Sequence, residues 1–302
     1  MSVQTGAALA SAIIPTTARA GRAKLLWRAI ESVRLQKGTR VHIIVVVNGP
    51  WADDKLLESL RAQPDIEVIR LAEGHVAQAR LAGRRHVITP YFAFLDDDDE
   101  LLPDMVGTGA GLLADNPALD VVVFNGRADG PNGTEQVYFE DFLRFPVDFE
   151  RAQVEGNLIA SCGAVYRTAT VGVSFFEHLP RTMEMTVLGH RLAVECQVKR
   201  LDEMGFWVHT HEMDRLSATG LYKQGTVEVL NAMAMRTGRR DIIRLLARRK
   251  GAAYHDLSTL ALQAGNWGEA LKFHIRSLFC PSGWRYALFT RHFLRPRTKS
   301  GS

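Results

Sequence analysis

The stretch from Tyr91 to Pro103 concentrates the residues that could do chemistry: five apolar side chains, Tyr91 to Leu95, then Asp96, Asp97, Asp98 and Asp99, then Glu100, Leu101, Leu102 and Pro103. The apolar run reads as a short strand buried on both faces, which puts the carboxylates at its carboxyl end. In open α/β sheets that edge is where ligands bind. Adjacent carboxylates raise one another's pKa, so keeping them ionised in a folded crevice calls for a compensating cation. Hard oxygen donors suit Mn²⁺ or Mg²⁺, ions that complete their shells with water and substrate phosphates. The structural alternative is an N-cap with first-turn acids, Asp99, Glu100 and Asp104, ahead of a helix expected from Leu101. That alternative leaves the adjoining buried strand as a coincidence. An EF-hand does not fit, because the alternating ligands, the central glycine and the distal glutamate are missing.

Two histidines add a weaker signal. His209 and His211 lie two apart on an expected strand and so face the same way, which lets His211 complete a metal shell. A half-buried polar residue at a strand end is the competing explanation.

The elements that must position these groups alternate. Ala10 to Ile14 reads as a first strand closed by Pro15, Thr16 and Thr17. A helix follows from about Gly21 to Leu35, with Leu25, Leu26, Ala29, Ile30 and Val33 on one stripe. Val41 to Val47 is almost purely β-branched and belongs inside a parallel sheet, ending at the turn signal Asn48-Gly49-Pro50. A helix over Asp53 to Gln63, a strand over Ile66 to Leu71 and a helix over Val76 to Ile88 lead to the acidic turn. A helix over Leu101 to Ala114 and a strand over Asp120 to Phe124 follow it. Such regular alternation predicts a doubly wound α/β sheet. Residues 126–155 lose the period and read as a hairpin or insertion near the site, after which Leu158 to Tyr166 returns to strand. A helix is expected over Gly189 to Met204 and a strand over Phe206 to Thr210. Beyond them lie helices over Val227 to Arg249, His255 to Ala264, Trp267 to Leu278 and Trp284 to Leu294.

The 302 residues suffice for one large core with a small appendage, and 46% hydrophobic with 23% charged residues is an ordinary globular composition. No apolar run approaches the roughly 18 residues of a membrane span. Ala7 to Pro15 lacks a preceding basic region and reads as strand, not signal peptide. Three widely spaced cysteines, Cys162, Cys196 and Cys280, fit reduced thiols in a cytoplasm better than a disulfide framework. The net charge of +4 hides an asymmetry: residues 236–302 hold 14 Lys and Arg against three Asp and Glu, net +11, leaving −7 for residues 1–235.

Four pieces then stand in a familiar order: Ile13-Ile14-Pro15-Thr16, Val45-Val46-Val47-Asn48-Gly49, Ala79-Arg80 with Gly83, and Phe94-Leu95-Asp96-Asp97-Asp98-Asp99 followed by Pro103. Each falls at the expected edge of its element. Together they resemble the inverting glycosyltransferases of family 2, closely over residues 10–125 and loosely over 158–217. The resemblance implies a GT-A fold: a doubly wound, mixed but mostly parallel sheet over residues 1–225, with a basic helical appendage over 226–302. It implies transfer of a sugar from a nucleoside-diphosphate donor, UDP-linked, to a hydroxyl of a carbohydrate or lipid-linked acceptor in cell-surface polysaccharide or glycan synthesis. Pro15, Thr16 and Thr17 would then line the nucleotide pocket, and Asn48 would stand where the family has a uracil-binding aspartate. Arg80 would approach the diphosphate, Asp96 the ribose or sugar, and Asp98 would hold Mn²⁺ or Mg²⁺. The family's base is an acid on a helix leading to an arginine and a glycine. With Arg200 and Gly205 in those places, the expected acid positions are Ala193 and Val194, so Glu195 is the nearest candidate and Glu184 the next.

Rival readings are a nucleotidyltransferase, which needs a Gly-rich phosphate loop that Pro15 to Gly21 does not supply, and a non-catalytic nucleotide-binding or scaffolding subunit, favoured by the absent acid pair. The C-terminal helices interleave cations with Trp267, Phe273, Phe279, Trp284, Tyr286, Phe289 and Phe293. That mixture fits peripheral contact with an anionic membrane at its inner face, ahead of nucleic acid, for which no recognised module is present.

Overall fold

The computed structural model describes residues 9–130, 133–209 and 220–294, side chains of 220–224 and 294 excepted. The chain divides into two compact units, Met1–Met213 and Asp214–Ser302.

The first unit is built on a nine-stranded mixed sheet. Its strands are β1 (Ala10–Thr16), β2 (Val41–Asn48), β3 (Ile66–Leu71), β4 (Tyr91–Phe94), β5 (Glu100–Leu101), β6 (Val121–Asp129), β7 (Glu135–Val137), β8 (Ala164–Arg167) and β9 (Val198–Val208). They run in the order β3-β2-β1-β4-β8-β6-β9-β5, with β7 paired to β6. The long pairings, β1 with β2, β2 with β3, β1 with β4 and β6 with β9, are parallel; the short pairings through β5, β7 and β8 are antiparallel. β1 is buried along its whole length and is flanked by β2 and β4, with Ile13 beside Ile44 on one side and Phe94 on the other. Apolar residues on both faces are what such a central position demands.

Helices cover both faces. α1 (Ala23–Arg34) buries the stripe Leu25, Leu26, Ala29, Ile30 and Val33. It shares one core with Leu56, Leu57 and Leu60 of α2 (Asp54–Arg61), whose N-cap Asp53 accepts from Leu56 N at 2.9 Å, and with Met105, Val106 and Leu113 of α4 (Met105–Asp115). On the other face lies α3 (Val76–His86), where a Cβ on Gly83 would come within 2.3 Å of Ile13 Cγ2. Phe92 and Phe94 of β4 pack there against Tyr166 and Phe176 with ring centroids 4.9–6.0 Å apart.

Several expectations are corrected. The helix after the acidic run starts at Met105, not Leu101, because Glu100 and Leu101 pair with Trp207 and Phe206 and Leu102 N donates to Gly205 O at 2.8 Å. The expected helix over Gly189 to Met204 is instead α6 (Glu184–Glu195) followed by β9. Lys199, Arg200, Leu201, Glu203 and Met204 favour helix intrinsically, but β6 offers an unpaired parallel edge whose backbone they satisfy from Val198 to Val208. In the second unit, α7 (Gly220–Arg236) stops before Gly238, and α8 (Arg240–Gln263) runs through the place where a break was expected. Gly251 lies within α8 because Cys280 packs against it, 2.9 Å from where a Cβ would stand. The unit continues with α9 (Trp267–Leu278), a 3₁₀ segment Gly283–Thr290 and α10 (Arg291–Leu294). In the 126–155 segment, β7 forms a hairpin on β6 and α5 (Phe149–Gly156) follows; the strand expected over Leu158 to Tyr166 is realised only in its last residues, within β8 (Ala164–Arg167).

Gly83 is where α3 approaches the sheet most closely, so Gly83→Ala forces Ile13 aside. The expected cost is about 2 kcal/mol of stability, read as a lowered midpoint in urea unfolding with an unchanged slope.

Candidate active site

β4 ends at Phe94, and Leu95 N still donates to Ile13 O at 3.0 Å before the chain turns. The turn closes through Asp99 N to Asp96 O at 3.2 Å and is fixed on its far side by the β5–β9 pairing. The backbone therefore presents the aspartates alternately. Asp97 and Asp99 point inward and are buried, 6% and 5% exposed, whereas Asp96 and Asp98 are half-exposed.

The inward pair is held by the protein. Asp97 accepts from Thr16 Oγ1 and from Arg22, whose Nε lies 3.0 Å from Oδ2 and whose Nη2 reaches Oδ1. The carboxylate holds the Arg22 charge above its ordinary pKa. Asp99 accepts from His209 N at 3.1 Å and lies 3.7 Å from Cys162 Sγ. Burial, and then the charges of Asp96 and Asp98, push its carboxyl well above the usual range. Burial likewise pushes the Cys162 thiol far up, so that it stays protonated.

The outward pair meets arginines. Arg22 Nη2 is 2.9 Å from Asp98 Oδ2, and Arg28 donates to Asp98 O at 2.7 Å while lying 3.3 Å from Glu100. Arg80, 1% exposed, donates through Nη2 to Asp96 Oδ1 at 2.8 Å and sits 5.4 Å from the centre of the Phe94 ring. Its Nε is 3.6 Å from Glu184 Oε1, an ion-pair contact too long for a hydrogen bond. Arg80 Nε and Nη1 are buried N–H groups without hydrogen-bond partners. Burial works against the Arg80 charge, but Asp96 and Glu184 together hold its pKa up.

Pro15 and Thr16 are buried in β1, and the amide of Asn48 donates to Thr16 O at 3.0 Å, tying the ends of β1 and β2. The Thr17 hydroxyl beside them is buried with no partner. At the rim, the half-exposed Trp51 lies over Gly49 and Gly74, with the Arg19 guanidinium 4.9 Å above its ring.

Thr16, Arg80, Asp96 and Asp98 thus converge at the carboxyl edge of the sheet. Glu195 does not: it is the last residue of α6, exposed, roughly 16 Å along the helix axis from Glu184 and beside the start of β9 at the opposite edge. Glu184, first residue of α6, is the acid brought to Arg80. Burial, opposed by Arg80, raises its pKa. Arg200 and Gly205 have structural roles, Arg200 donating to Phe142, Phe145 and Pro146 carbonyls and Gly205 leaving room for Phe124 and Met105. His209 is held by Asp129 at 3.1 Å and Glu100 at 2.8 Å through its two ring nitrogens; His211 lies outside the described residues. Sequence reasoning missed Arg22, and it named Asp97 within the acidic run without giving it a role of its own. Their signals were a cation in the loop after β1 and a fourth acid where two would suffice, and neither declares its partner.

The sequence model of glycosyl transferase family 2 matches residues 11–171. The chain belongs to that family. No curated protein matches it. Among solved structures it is similar to S. aureus TarS residues 1–349 in complex with UDP-GlcNAc, with a TM-score of 0.66 and 14% identity over 89% of this chain and 81% of that one. It is also similar to S. aureus TarS, with a TM-score of 0.60 and 15% identity over 80% of this chain and 43% of that one. A third is TarS 1–349 in complex with UDP, with a TM-score of 0.51 and 14% identity over 89% and 90%. At such identity what is shared is the GT-A fold, a mixed α/β sheet of the expected class.

The chain is a glycosyltransferase, and the donor set can be tested against the divalent ion that its family implies. Asp98 is half-exposed, and burial followed by the neighbouring Asp96 raises its pKa, so a hard cation would relieve a crowded carboxylate there. Among the described residues no three His, Cys, Asp or Glu side chains converge as a complete site, so the protein offers Asp98 with Asp96 beside it. This fits an ion that takes its remaining ligands from water and phosphate.

The glycosyltransferase should also show the strain at Asp99 in its pH dependence. A carboxyl whose pKa is raised on folding binds more protons in the folded state, so stability falls as pH rises from the ordinary carboxylate value towards the raised one. Asp99→Asn keeps an acceptor for His209 N and removes that charge. Its melting temperature should exceed the wild type's at pH 8, by about 2–4 °C per kcal/mol relieved, and the gap should close towards pH 5 in a thermal-shift series.

Proposed function

We propose that this enzyme transfers a sugar from a UDP-sugar to an acceptor hydroxyl by a single inverting displacement, with Mn²⁺ or Mg²⁺ assistance. The observation that carries the reading is the convergence of Asp96 and Glu184 on the buried Arg80, with Asp98 beside them at the mouth of the sheet. The TarS structures that share the fold hold UDP-GlcNAc and UDP, which supports a uridine donor.

Pro15, Thr16 and Thr17 line the nucleotide side, where the Thr17 hydroxyl lacks a partner, and Asn48 borders the base with Trp51 at the rim. Asp96 orients the ribose or sugar, itself fixed by Arg80. The Arg80 guanidinium, paired with Asp96 and beside Glu184, supplies a fixed positive charge behind the diphosphate side. Asp98 would hold the divalent ion, which when bound neutralises charge on the departing diphosphate. Glu184 accepts the proton of the acceptor hydroxyl as its oxygen bonds to the anomeric carbon and the bond to the diphosphate oxygen breaks. Its burial-raised pKa brings it closer to working pH, as a general base requires. Glu195 has no part in this arrangement.

The acceptor is a carbohydrate or lipid-linked one at a membrane surface, in polysaccharide or glycan synthesis. α9 and its C-cap expose Leu271, Ile275 and Phe279 at successive turns, with Lys272 and Arg276 beside them, and Trp284 and Leu288 follow, 76% and 80% exposed. Residues 270–302 contain seven Lys and Arg and no Asp or Glu. Exposed apolar side chains in a field of one sign fit an anionic bilayer, each near-surface cation adding about 1 kcal/mol. No helix among the described residues is long and apolar enough to cross a membrane.

Three measurements test these assignments. In a thermal-shift screen of nucleoside diphosphates, UDP with Mn²⁺ should stabilise the enzyme and Asp98→Ala should lose the metal-dependent part; an unchanged shift removes Asp98 from the site. Glu184→Gln should retain UDP binding while turnover falls roughly 10²–10⁴-fold, and the acid limb of the wild-type kcat/KM profile should lie above the ordinary glutamate pKa and disappear in the variant. In vesicle co-sedimentation, the protein should partition to phosphatidylglycerol and not phosphatidylcholine, and Trp284→Ala with Phe279→Ala should weaken binding without altering donor hydrolysis.

A further inference from the structure

Arg22 carries a function that the donor-binding reading does not include. It lies at the end of the single 3₁₀ turn Ala20–Arg22, in the loop between β1 and α1. Its guanidinium holds Asp97 through Nε and Nη2, and the same Nη2 reaches Asp98 Oδ2 at 2.9 Å. Asp97 is itself locked by the Thr16 hydroxyl and buried, whereas Asp98 is half-exposed. The two contacts are therefore unequal: one is a buried fork on a fixed carboxylate, the other a single bond to a carboxylate facing the crevice. A guanidinium and a divalent ion cannot both sit against the same Asp98 oxygen without strong like-charge repulsion.

We propose that Arg22 is the resident cation of the acidic turn, holding Asp98 while no donor is bound and releasing it, with Asp97 as the retained anchor, before a divalent ion is held there. Because Nη2 stays on Asp97, it is the half-exposed Asp98 that turns away, and the Nη2 N–H it leaves becomes available to the diphosphate oxygens that arrive with the ion. Metal and donor then bind as a unit: the ion alone must displace a cation and gains no phosphate ligand, whereas the complex supplies Arg22 with a new partner. This inference rests on the reading of Asp98 as the metal-bearing carboxylate.

The test is Mn²⁺ binding, read by the electron paramagnetic resonance of free Mn²⁺, with no sugar donor present. Arg22→Gln keeps a donor for Asp97 without the charge, and it should bind Mn²⁺ alone at least tenfold more tightly than the wild type, the scale by which one adjacent charge biases a carboxylate. Arg22→Lys should restore weak binding, and adding Asp98→Asn to Arg22→Gln should remove the gain. UDP should raise Mn²⁺ affinity more in the wild type than in Arg22→Gln, because coupling through Arg22 is lost; this comparison is made on folded protein, verified by its melting transition, with Arg22→Met as a second neutral variant. If Mn²⁺ and UDP bind together but the neutral variants hold Mn²⁺ no more tightly, Arg22 is a structural brace and the inference fails alone. If no form binds Mn²⁺ even with UDP, the metal reading fails and takes the inference with it.

Discussion

Electrostatic crowding at the end of β4 is the constraint on which the rest of this structure depends. A buried strand delivers four consecutive carboxylates into one turn, and the fold must separate and compensate them. It does so by alternation, sending Asp97 and Asp99 inward and Asp96 and Asp98 outward, and by drawing arginines from two sources. Arg22 and Arg28 come from the segment after β1, and Arg80 comes from α3 on the opposite face of the sheet. Each is anchored by an element flanking the central strand, so the sheet and its helices act as a frame that fixes cations around anions.

The compensation is incomplete, and that is where stability and function diverge. Asp98, Asp99 and Glu184 all remain above their ordinary pKa values, chiefly through burial. Two N–H groups of Arg80 and the hydroxyl of Thr17 stay without hydrogen-bond partners. Natural proteins concentrate such departures from full satisfaction at functional sites. The carboxyl edge of the sheet is thus a partially satisfied network of charges and hydrogen-bonding groups.

The second unit follows a different logic. Its interior is sealed by close contacts, such as Gly251 against Cys280 and the Ser258 hydroxyl donating to Ala270 O at 2.7 Å. Its last helices meanwhile leave Phe279, Trp284 and Leu288 exposed among cations. The acidic run thus lies on the first unit and the densest positive charge on the second.

The sequence by itself determined the elements whose signals are local. The β-branched run Val41 to Val47, the apolar stripe of α1 and the strand-then-acid order at Tyr91 to Asp99 depend on neighbours in the chain and put the acidic run at a sheet edge, while the family resemblance singled out Asp96, Asp98 and Arg80. Only the tertiary structure decided the rest. Val198 to Val208 is strand because β6 needed a partner, against the helix propensity of its residues. That outcome moved α6 back to Glu184, so that its first residue reaches the site and Glu195 falls at the opposite edge. The pairing of Arg22 with Asp97 joins residues 75 apart in the chain. Charges carry no label for their partners, and the distances that match them exist only once the sheet has brought the ends of β1 and β4 side by side.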